Sequence, residues 1–340
     1  VDGNVFVTGH GTLLTGEVRA WETATGAQLS RGAMRHQAEV NAVVFSRDGR
    51  FLATASQDRA ARVFDCETWQ AVGQPLWHGR DVRAVAFSSD GKRLLTGGDE
   101  NAVRIWDLAP GASVVPPLRV THDAVLATAA SPKSNRLFVG GVWGGKEWNP
   151  VTLQAESDSV KPEGGGAILS AAYSADGTSL ALGSVSIFPP RTGAVTIRKA
   201  DGTRIGPLEH PLAVLSVAFS PDGRYLATGC ADGKARVWDA RTGTSVAELT
   251  HTHEGRVYVV RFTPDGSHLF TGGTDGRGLL WDAAKLRKTE PVHTLKHPDG
   301  VLSVAFSQNG QRIITGYVGA VLIWDWPSPD RAPEQNGPLG

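Results

Sequence analysis

Histidine is the residue type whose spacing in this sequence first suggests acid–base chemistry. Five histidines precede a valine by four residues, and a sixth precedes one by three residues. The pairs are His36 and Val40, His78 and Val82, His122 and Val125, His210 and Val214, His253 and Val257, and His297 and Val301. A histidine serves as a general base when a suitable proton lies within hydrogen-bond reach. Six copies at one spacing indicate instead a position that the fold repeats.

No other group of residues has the spacing of a catalytic or metal site. Cys66 and Cys230 lie far apart and lack the short spacing of metal-binding or redox cysteines. The stretch GGTDGRG at 272–278 resembles a phosphate-binding loop, but its spacing fits neither nucleotide-binding fingerprint and no helix is predicted after it. The aspartates of Asp-Gly turns are spread one per repeat, whereas a metal site needs several converging oxygens. The sequence therefore predicts no catalytic residue, no metal ligand and no cofactor.

The elements that would position the histidines are short β-strands that recur along the chain. An apolar strand ending in a turn of the Phe-Ser-Pro-Asp-Gly kind begins at residues 43, 85, 128, 171, 217, 260 and 304, at intervals of 42 to 46 residues. In the copy that begins at 217, the next runs are YLATGC, ARVWD and SVAEL. Asp-Gly and Thr-Gly between such runs are typical of hairpin turns, because glycine accepts a positive φ. The pattern predicts an all-β chain of four-stranded units.

Most units end their third strand with Trp-Asp or a related pair. Full matches are Trp106-Asp107, Trp238-Asp239, Trp281-Asp282 and Trp324-Asp325, and near matches are Phe64-Asp65, Trp21-Glu22 and Trp148-Asn149. The unit near residues 194–201 has Arg198 in place of the tryptophan. With this signature and unit length, the chain resembles the WD40-repeat β-propeller family, with repeats of the bacterial type. The resemblance covers residues 1 to about 326 and implies a propeller of four-stranded antiparallel blades.

The resemblance also implies a role for the histidines. WD40 units contain a buried hydrogen-bond chain that joins tryptophan, serine or threonine, histidine and aspartate. Two sets match this pattern completely, namely His210, Thr228, Asp232 and Trp238, and His253, Thr271, Asp275 and Trp281. A third set, His36, Thr54 and Asp58, has Phe64 in place of the tryptophan. Because buried polar groups need partners, we expect these sets to stabilise the blades.

Two ways of closing the propeller are compatible with the repeats. In the first, which we favour, AQLSR at 27–31 is the outer strand of the last of seven blades, and residues 1–26 are a partial repeat left over from an upstream unit. In the alternative, residues 1–31 are three strands of an eighth blade. Either closure removes exposed strand edges. We expect one propeller domain over residues 1–326 and a flexible, proline-rich tail at 327–340.

The resemblance implies that partners bind near the central opening, through the residue that follows the first-strand valine. Carried onto this chain, these candidates are Asn41, Arg83, Leu126, Leu215, Tyr258 and Leu302, with Tyr317 in a neighbouring turn. The enlarged loop at 183–194 adds Phe188. Most of these side chains are uncharged, so the surface favours a protein or a peptide with apolar anchors.

Charge and hydropathy narrow the classes of function. The chain has 34 basic and 34 acidic residues without a basic run, which argues against binding nucleic acid. No apolar run reaches the ~20 residues that span a membrane. We therefore expect a non-catalytic scaffold for protein partners. The alternatives are a segment of a larger bacterial signalling protein, such as a Ser/Thr kinase, and an enzyme with a central pocket. The start at Val1 indicates a fragment, which we expect in the cytoplasm.

Overall fold

The structure is a computed structural model of the 340-residue chain. It describes residues 5–11, 16–22, 27–29, 34–88, 90–100, 103–108, 124–134, 136–150, 152, 154–157, 159–162, 165–251, 255–288, 290–307, 311–317 and 320–326. The chain forms two compact units, residues 1–161 and residues 162–340. In the described residues both units consist of antiparallel β-sheets.

In the first unit, strands that follow one another in sequence are neighbours in their sheet. The first sheet contains β1 (Val5–Gly11), β2 (Gly16–Glu22) and β3 (Met34–His36). The second contains β4 (Val40–Phe45), β5 (Phe51–Ser56), β6 (Ala60–Asp65) and β7 (Leu76–Trp77). The third contains β8 (Val82–Phe87), β9 (Arg93–Gly98) and β10 (Val103–Asp107). The fourth contains β11 (Val125–Ala130), β12 (Leu137–Gly141) and β13 (Gly144–Trp148).

The second unit has the same sequential strand order. Its first sheet contains β14 (Gly166–Tyr173), β15 (Ser179–Ser186), β16 (Gly193–Lys199) and β17 (Arg204–His210). The next contains β18 (Val214–Phe219), β19 (Tyr225–Cys230), β20 (Lys234–Asp239) and β21 (Ser245–Thr250). The third contains β22 (Val257–Phe262), β23 (His268–Gly273), β24 (Arg277–Asp282) and β25 (His293–Lys296). The last contains β26 (Val301–Phe306), β27 (Arg312–Tyr317) and β28 (Ala320–Asp325).

The turn between β18 and β19 shows why the sequence folds into such hairpins. The Asp222 carboxylate accepts hydrogen bonds from the Ser220 hydroxyl at 2.5 Å and from the Arg224 amide N–H at 3.0 Å. Gly223 has a φ of 71°, a left-handed conformation that glycine adopts at little cost. Equivalent hydroxyl-to-carboxylate bonds of 2.6 Å occur at Asp48, Asp90, Asp176 and Asp265. In these five turns the hydrogen bonds to the aspartate stabilise the hairpin, which pairs one strand with the next.

Apolar side chains from neighbouring sheets form the core of each unit. Val237 and Leu249 of one sheet share a buried cluster with Val257 and Val260 of the next. The sheets β4–β7 and β8–β10 share a core in the same way. Burying one valine or leucine side chain stabilises a fold by ~1.5–3 kcal/mol. A sheet in these units is therefore stabilised mainly by the sheets that cover its faces.

Glycine allows the second strand of one sheet to approach the first strand of the next. A Cβ atom added at Gly97 would lie 2.9 Å from Cγ1 of Val125, and one added at Gly272 would lie 2.8 Å from Cγ1 of Val301. These distances are shorter than the ~3.5–4.0 Å at which carbon atoms make favourable contact. The two glycines therefore set the spacing between their sheets.

The segment at 27–31 is not paired as we predicted for a seven-blade closure. In its described part, 27–29, the Leu29 N–H donates to the Ala20 carbonyl at 2.8 Å, and Gln28 bridges Trp21. Both Ala20 and Trp21 belong to β2, so the described part of the segment pairs with the first sheet, whose third strand is β3. The physical reason is loop length, because a hairpin to an adjacent strand closes a shorter loop than pairing with the far end of the chain. The number of blades stays a prediction.

Helical structure in the described part of the chain is limited to a 3-10 turn at Ala283–Lys285. The Asp282 side chain begins this turn by accepting from the Ala284 amide N–H at 2.9 Å. Among the residues that the structure describes, there is no helix of the length and hydropathy that crossing a bilayer requires. The prediction of an all-β chain with antiparallel sheets is confirmed.

We predict that Gly97→Ala lowers the free energy of unfolding by roughly 1–3 kcal/mol, because the new methyl group overlaps the Val125 side chain. Chemical denaturation measures this loss. In a Val125→Ala background two of the three overlapping atoms are gone, so the same replacement should cost less. Equal losses in both backgrounds would contradict the contact that we assign to Gly97.

Candidate functional site

The most complete set of hydrogen bonds centres on the Thr96 hydroxyl of β9. Its oxygen accepts from Nε1–H of Trp106 at 2.7 Å and lies 2.7 Å from Nε2 of His78. Nδ1 of His78 contacts the Glu100 carboxylate, which also accepts from Nε–H of Arg104 at 2.7 Å. Because an ionised carboxylate only accepts, Nδ1 of His78 carries the proton and Nε2 accepts from the Thr96 hydroxyl. One hydroxyl therefore joins the histidine that follows β7 to two strands of the next sheet.

We did not predict this set from the sequence, because Glu100 stands where the family pattern has aspartate. The signal that identifies it is the spacing of 18 residues between histidine and threonine. His297 and Thr315 have the same spacing and were missed as well, with Nε2 of the ring 2.6 Å from the hydroxyl oxygen. Nε1–H of Trp324 donates to that oxygen at 2.8 Å. The histidine–threonine spacing is therefore a better marker of this set than the aspartate.

The structure brings His36, Thr54 and Asp58 together. Nε2 of His36 lies 2.7 Å from the Thr54 hydroxyl oxygen, and Nδ1 lies 3.0 Å from the Asp58 carboxylate. The same carboxylate accepts from the Gln37 amide N–H at 3.0 Å and from Nη1–H of Arg62 at 2.7 Å. His36 ends β3 and Thr54 lies in β5, so this set also links two successive sheets.

In the set at His210 the structure contradicts one assignment, that of Asp232. Nε2 of His210 lies 2.8 Å from the Thr228 hydroxyl oxygen, which accepts from Nε1–H of Trp238 at 3.2 Å. Nδ1–H of His210, however, donates to the backbone carbonyl two residues before it, at 2.9 Å. Asp232 instead accepts from Nη2–H of Arg236 at 2.7 Å. Asp232 thus keeps the arginine contact that Asp58 and Glu100 also make, but it lacks their contact with the histidine.

In the sheet β22–β25 the structure places His251 beside the acidic residue Asp275. Nδ1 of His251 lies 3.0 Å from the Asp275 carboxylate, and Nε2 lies 3.2 Å from the Thr271 carbonyl oxygen. The Thr271 hydroxyl accepts from Nε1–H of Trp281 at 2.9 Å, as predicted for this pair. His253 lies outside the described residues. His251 is therefore a partner of Asp275 that we did not predict, and the assignment of His253 stays a prediction.

Strand register explains the position of His251. The His251 amide N–H donates to the Gly233 carbonyl at 3.0 Å, five residues before the tryptophan of that sheet, and His78 bonds Arg59 in the same way at 2.8 Å. The histidine is thus positioned by the strand that precedes it in its own sheet. The spacing that we used to predict these histidines is instead counted to the valine of the following strand. Two additional residues between His251 and Val257 made that distance misleading.

The electrostatic environment makes these histidines unsuitable as general bases. Burial lowers the pKa of His36, His78 and His297 and lowers the pKa of His210 to about 4. Burial opposes the charge of Asp58, but hydrogen bonds from its histidine and from a backbone N–H outweigh it and hold the pKa of that carboxyl far below its usual range. Neutral rings with both nitrogens engaged have no free site for a substrate proton. Their chemistry serves the contact between sheets.

Six predicted contact residues share one backbone feature, a β-bulge in the first strand of their sheet. In each of these strands the pairing with the second strand shifts immediately after the first residue. The residues in the bulges are Asn41, Arg83, Leu126, Leu215, Tyr258 and Leu302. A bulge leaves its extra residue unpaired in the ladder and redirects the side chain. Leu169 has the same place in β14, and we missed it because GGG at 164–166 replaces the histidine that marked the other strands.

Two of the predicted contact residues in the first unit already have partners. Nδ2–H of Asn41 donates to a backbone carbonyl of β8 at 2.8 Å, and Arg83 forms a two-point ion pair with Asp99 at 2.7 and 3.0 Å. Leu126 is half-buried. The turn after β12 in the sheet of Leu126 carries Trp143, which is 53% exposed and was missed because we searched only the first strands. The apolar surface of this sheet is therefore larger than predicted.

In the second unit the bulge residues are apolar and lie on strands that pack in sequence. Leu215 and Tyr258 are half-buried, and Leu302 is 48% exposed. Their strands are neighbours, because β18 packs against β22 and β22 packs against β26. These three side chains therefore belong to one continuous row of bulges.

The two predicted residues outside the bulges have different environments. The half-buried Tyr317 ends β27, and its ring centroid lies 5.8 Å from that of His297. Phe188, in the loop after β15, is 56% exposed, and a Cβ atom added at Gly165 would lie 3.6 Å from its ring. Phe188 therefore offers the larger accessible aromatic surface of the two.

The described residues contain no group of three or more histidine, cysteine, aspartate or glutamate side chains that could hold a metal ion. Cys66 and Cys230 are not part of a disulfide. Burial raises the pKa of the Cys66 thiol to about 12 and that of Cys230 to about 11. Because the thiolate is the nucleophile, neither thiol is activated for chemistry.

Comparison with known proteins gives the family. The WD40 family, described as WD domain, G-beta repeat, matches residues 31–65, 73–107, 202–239, 243–282 and 289–325, which together exceed half of the chain. The chain belongs to the WD40 family, and its fold class is all-β, of the WD40 β-propeller type.

Two similar proteins illustrate the match. WD repeat-containing protein SL1-17 from Schistosoma mansoni is 36% identical over 122 residues, which are 35% of this chain and 37% of that protein. The crystal structure of the computationally designed Ika8 protein is similar with a TM-score of 0.68 and 21% identity, over 85% of this chain and 84% of that chain. At this identity the likeness to Ika8 concerns the fold alone. Because SL1-17 is eukaryotic, the bacterial type of the repeats is not confirmed.

We predict that Thr96→Val destabilises the protein by ~1–3 kcal/mol, because it leaves the buried rings of His78 and Trp106 without their shared partner. Thr96→Ser is the matched control, since it keeps the hydroxyl oxygen. Thermal denaturation should give a clearly lower Tm for the valine variant than for the serine variant. Equal Tm values would show that the hydroxyl contributes nothing to the sheet contact.

We predict that acid weakens the fold partly through His210. Its pKa is about 4 in the folded protein and near 6.5 in the unfolded chain, so the unfolded chain binds the proton first as the pH falls. The stability due to the neutral ring is complete above about pH 6.5 and is lost towards pH 4, with ~1 kcal/mol lost at pH 5.5.

Chemical denaturation of His210→Gln at about pH 7.5 and 5.5 tests this linkage. The variant should lose less stability than the wild type over this interval, because glutamine does not titrate. If the wild type and His210→Gln lose the same stability between the two pH values, His210 does not make the proposed contribution.

Proposed function

We propose that this chain is a non-catalytic scaffold for protein interactions, which presents bulge and turn residues to protein or peptide partners. Its membership of the WD40 family supports the scaffold function, because WD40 repeat proteins typically act in this way. The balance of 34 basic and 34 acidic residues supports a protein partner over a nucleic acid.

The row of bulges in the second unit is the observation that carries the proposal. Leu215, Tyr258 and Leu302 follow successive first-strand valines on strands that pack against one another. Each bulge has the same backbone shift, but the side chains differ from sheet to sheet. Tyrosine is enriched among the residues that contribute most to binding in protein interfaces, and neighbouring apolar side chains on a surface mark sites of protein interaction. The row therefore suits a partner with an apolar anchor.

The first unit supplies a different surface to the same proposal. Its bulge residues Asn41 and Arg83 are polar and already bonded, while Trp143 and Leu126 share one sheet. Tryptophan is enriched in the residues that dominate binding energy at protein interfaces. We propose Trp143 and Phe188 as additional contact residues of their own units.

The two alternatives receive less support. The Schistosoma mansoni relative does not support the hypothesis that the chain is a segment of a bacterial signalling protein. An enzyme would need a free base or an activated nucleophile, and in the described residues the buried histidines and the two cysteines are unsuited to these roles.

We predict that replacing both Tyr258 and Leu302 by alanine reduces partner binding by about tenfold or more, since contact residues at an interface centre contribute ~2 kcal/mol each. Val292→Ala is the control, because Val292 is 46% exposed and Leu302 is 48% exposed. Immobilised wild-type and variant chains are incubated with cell extract, and retained proteins are quantified by mass spectrometry.

At least one protein should be retained by the wild type and by Val292→Ala and be depleted on the double variant. Equal retention of every protein by all three chains, with unchanged Tm values, would contradict the proposed binding row.

A further inference from the structure

The second unit contains a cavity of about 570 Å³ that none of the bulge residues lines. Its walls come from the start of β16, the end of β17 and the adjacent strand β20 of the next sheet. This volume lies in the range of small-ligand pockets, ~300–1,000 Å³. The cavity is therefore large enough to enclose one long side chain together with the peptide backbone that carries it.

The cavity combines an apolar wall with a small number of polar groups. Pro207 and Pro211 supply rigid apolar surface, and Thr192 supplies a hydroxyl at an exposed position. His210 also lines the cavity, but both its ring nitrogens are engaged in the contact described above. The polar groups available to a ligand are therefore those of Thr192, Glu209 and Arg236.

One nitrogen of the Arg236 guanidinium, Nη1, has N–H donors that are not used. Its Nη2–H donates to Asp232 at 2.7 Å, and its Nε–H donates to Glu248 at 3.1 Å. Nη1 is buried and has no hydrogen-bond partner, and the whole side chain is only 9% exposed. A buried N–H group without an acceptor is unfavourable. A ligand that brings a neutral acceptor oxygen would satisfy it.

Charge selects the type of acceptor. Asp232 and Glu248, which both contact Arg236, carry two negative charges against its single positive charge. The second negative charge is balanced by Lys234, which contacts Glu248. Glu209 is exposed, and no described cation forms an ion pair with it. The group of Arg236, Lys234, Asp232, Glu248 and Glu209 therefore has a net charge of −1 at neutral pH. Such surroundings attract a cation and disfavour a free carboxylate.

We propose that this cavity binds a peptide segment through one lysine or arginine residue. The cationic end pairs with Glu209, the aliphatic stem packs on Pro207 and Pro211, and a backbone carbonyl accepts from Nη1–H of Arg236. A residue inside a peptide presents a neutral carbonyl as the acceptor, whereas the acceptor of free lysine or arginine is an α-carboxylate, which Asp232 and Glu248 repel. The site is independent of the binding row of Leu215, Tyr258 and Leu302, so either can fail without the other.

Calorimetric titration of the full chain with short blocked peptides tests the proposal. The probe is acetyl-Ala-Lys-Ala-amide, and the comparison peptides carry norleucine or glutamate in place of lysine. The variant is Glu209→Gln, and Glu290→Gln is the matched control, because Glu290 is also exposed and does not line the cavity. Free lysine is the third ligand, which separates a peptide from a free amino acid.

We expect the lysine peptide to bind the wild type and Glu290→Gln equally, and Glu209→Gln roughly two- to fivefold more weakly, as the loss of a partly exposed ion pair implies. The norleucine peptide should bind more weakly than the lysine peptide and should not distinguish the variants. Equal affinity of the lysine peptide for Glu209→Gln, tighter binding of the glutamate peptide or of free lysine, or no binding of the lysine peptide would each overturn the proposal.

Discussion

The contact between one sheet and the next is the interaction on which the rest of the structure depends. A sheet of three or four strands has two faces, and both need cover from neighbouring elements before the sheet is stable in water. Within each unit, the sheets meet closely at glycines such as Gly97 and Gly272. A histidine at the edge of one sheet then bonds a threonine of the next, as His78 bonds Thr96. Apolar packing tolerates several arrangements, whereas this polar bond has one geometry and fixes the register between sheets.

This constraint separates residues that maintain the fold from residues that are free to bind. Threonine and histidine occupy fixed places, and removing the threonine hydroxyl leaves Nε2 of the buried histidine ring without a partner. The bulge that follows each first-strand valine has a constant backbone but no constant side chain, as Asn41 and Tyr258 illustrate. These positions carry different residue types, because the extra residue of a bulge is not paired in the strand ladder. In the function that we propose, different bulge side chains suit different partners while the fold stays the same.

The sequence predicts the strands and the turns well, and it predicts the pairs of His36 with Thr54 and of His210 with Thr228, because these depend on local periodicity and on fixed spacing. It fails where two candidates compete for one partner. Asp232 was assigned to His210 but binds Arg236, and only the three-dimensional distances decide between them. His251 was missed because its position depends on pairing with the preceding strand, which a spacing measured to the following strand does not report. The cavity beside Arg236 is formed by two sheets and has no sequence signal at all.

The most direct measurement is the protonation of the histidine rings in the folded protein. Nitrogen-15 NMR of the His210 ring, assigned by comparison with His210→Gln, reports which nitrogen carries the proton. At about pH 6 we expect a neutral ring with the proton on Nδ1, since burial holds the pKa near 4 and Leu208 accepts from Nδ1–H. A proton on Nε2 alone would contradict the bond to Leu208 and the direction of the bond to Thr228. A doubly protonated ring at that pH would contradict the neutral, buried ring that we place between the sheets.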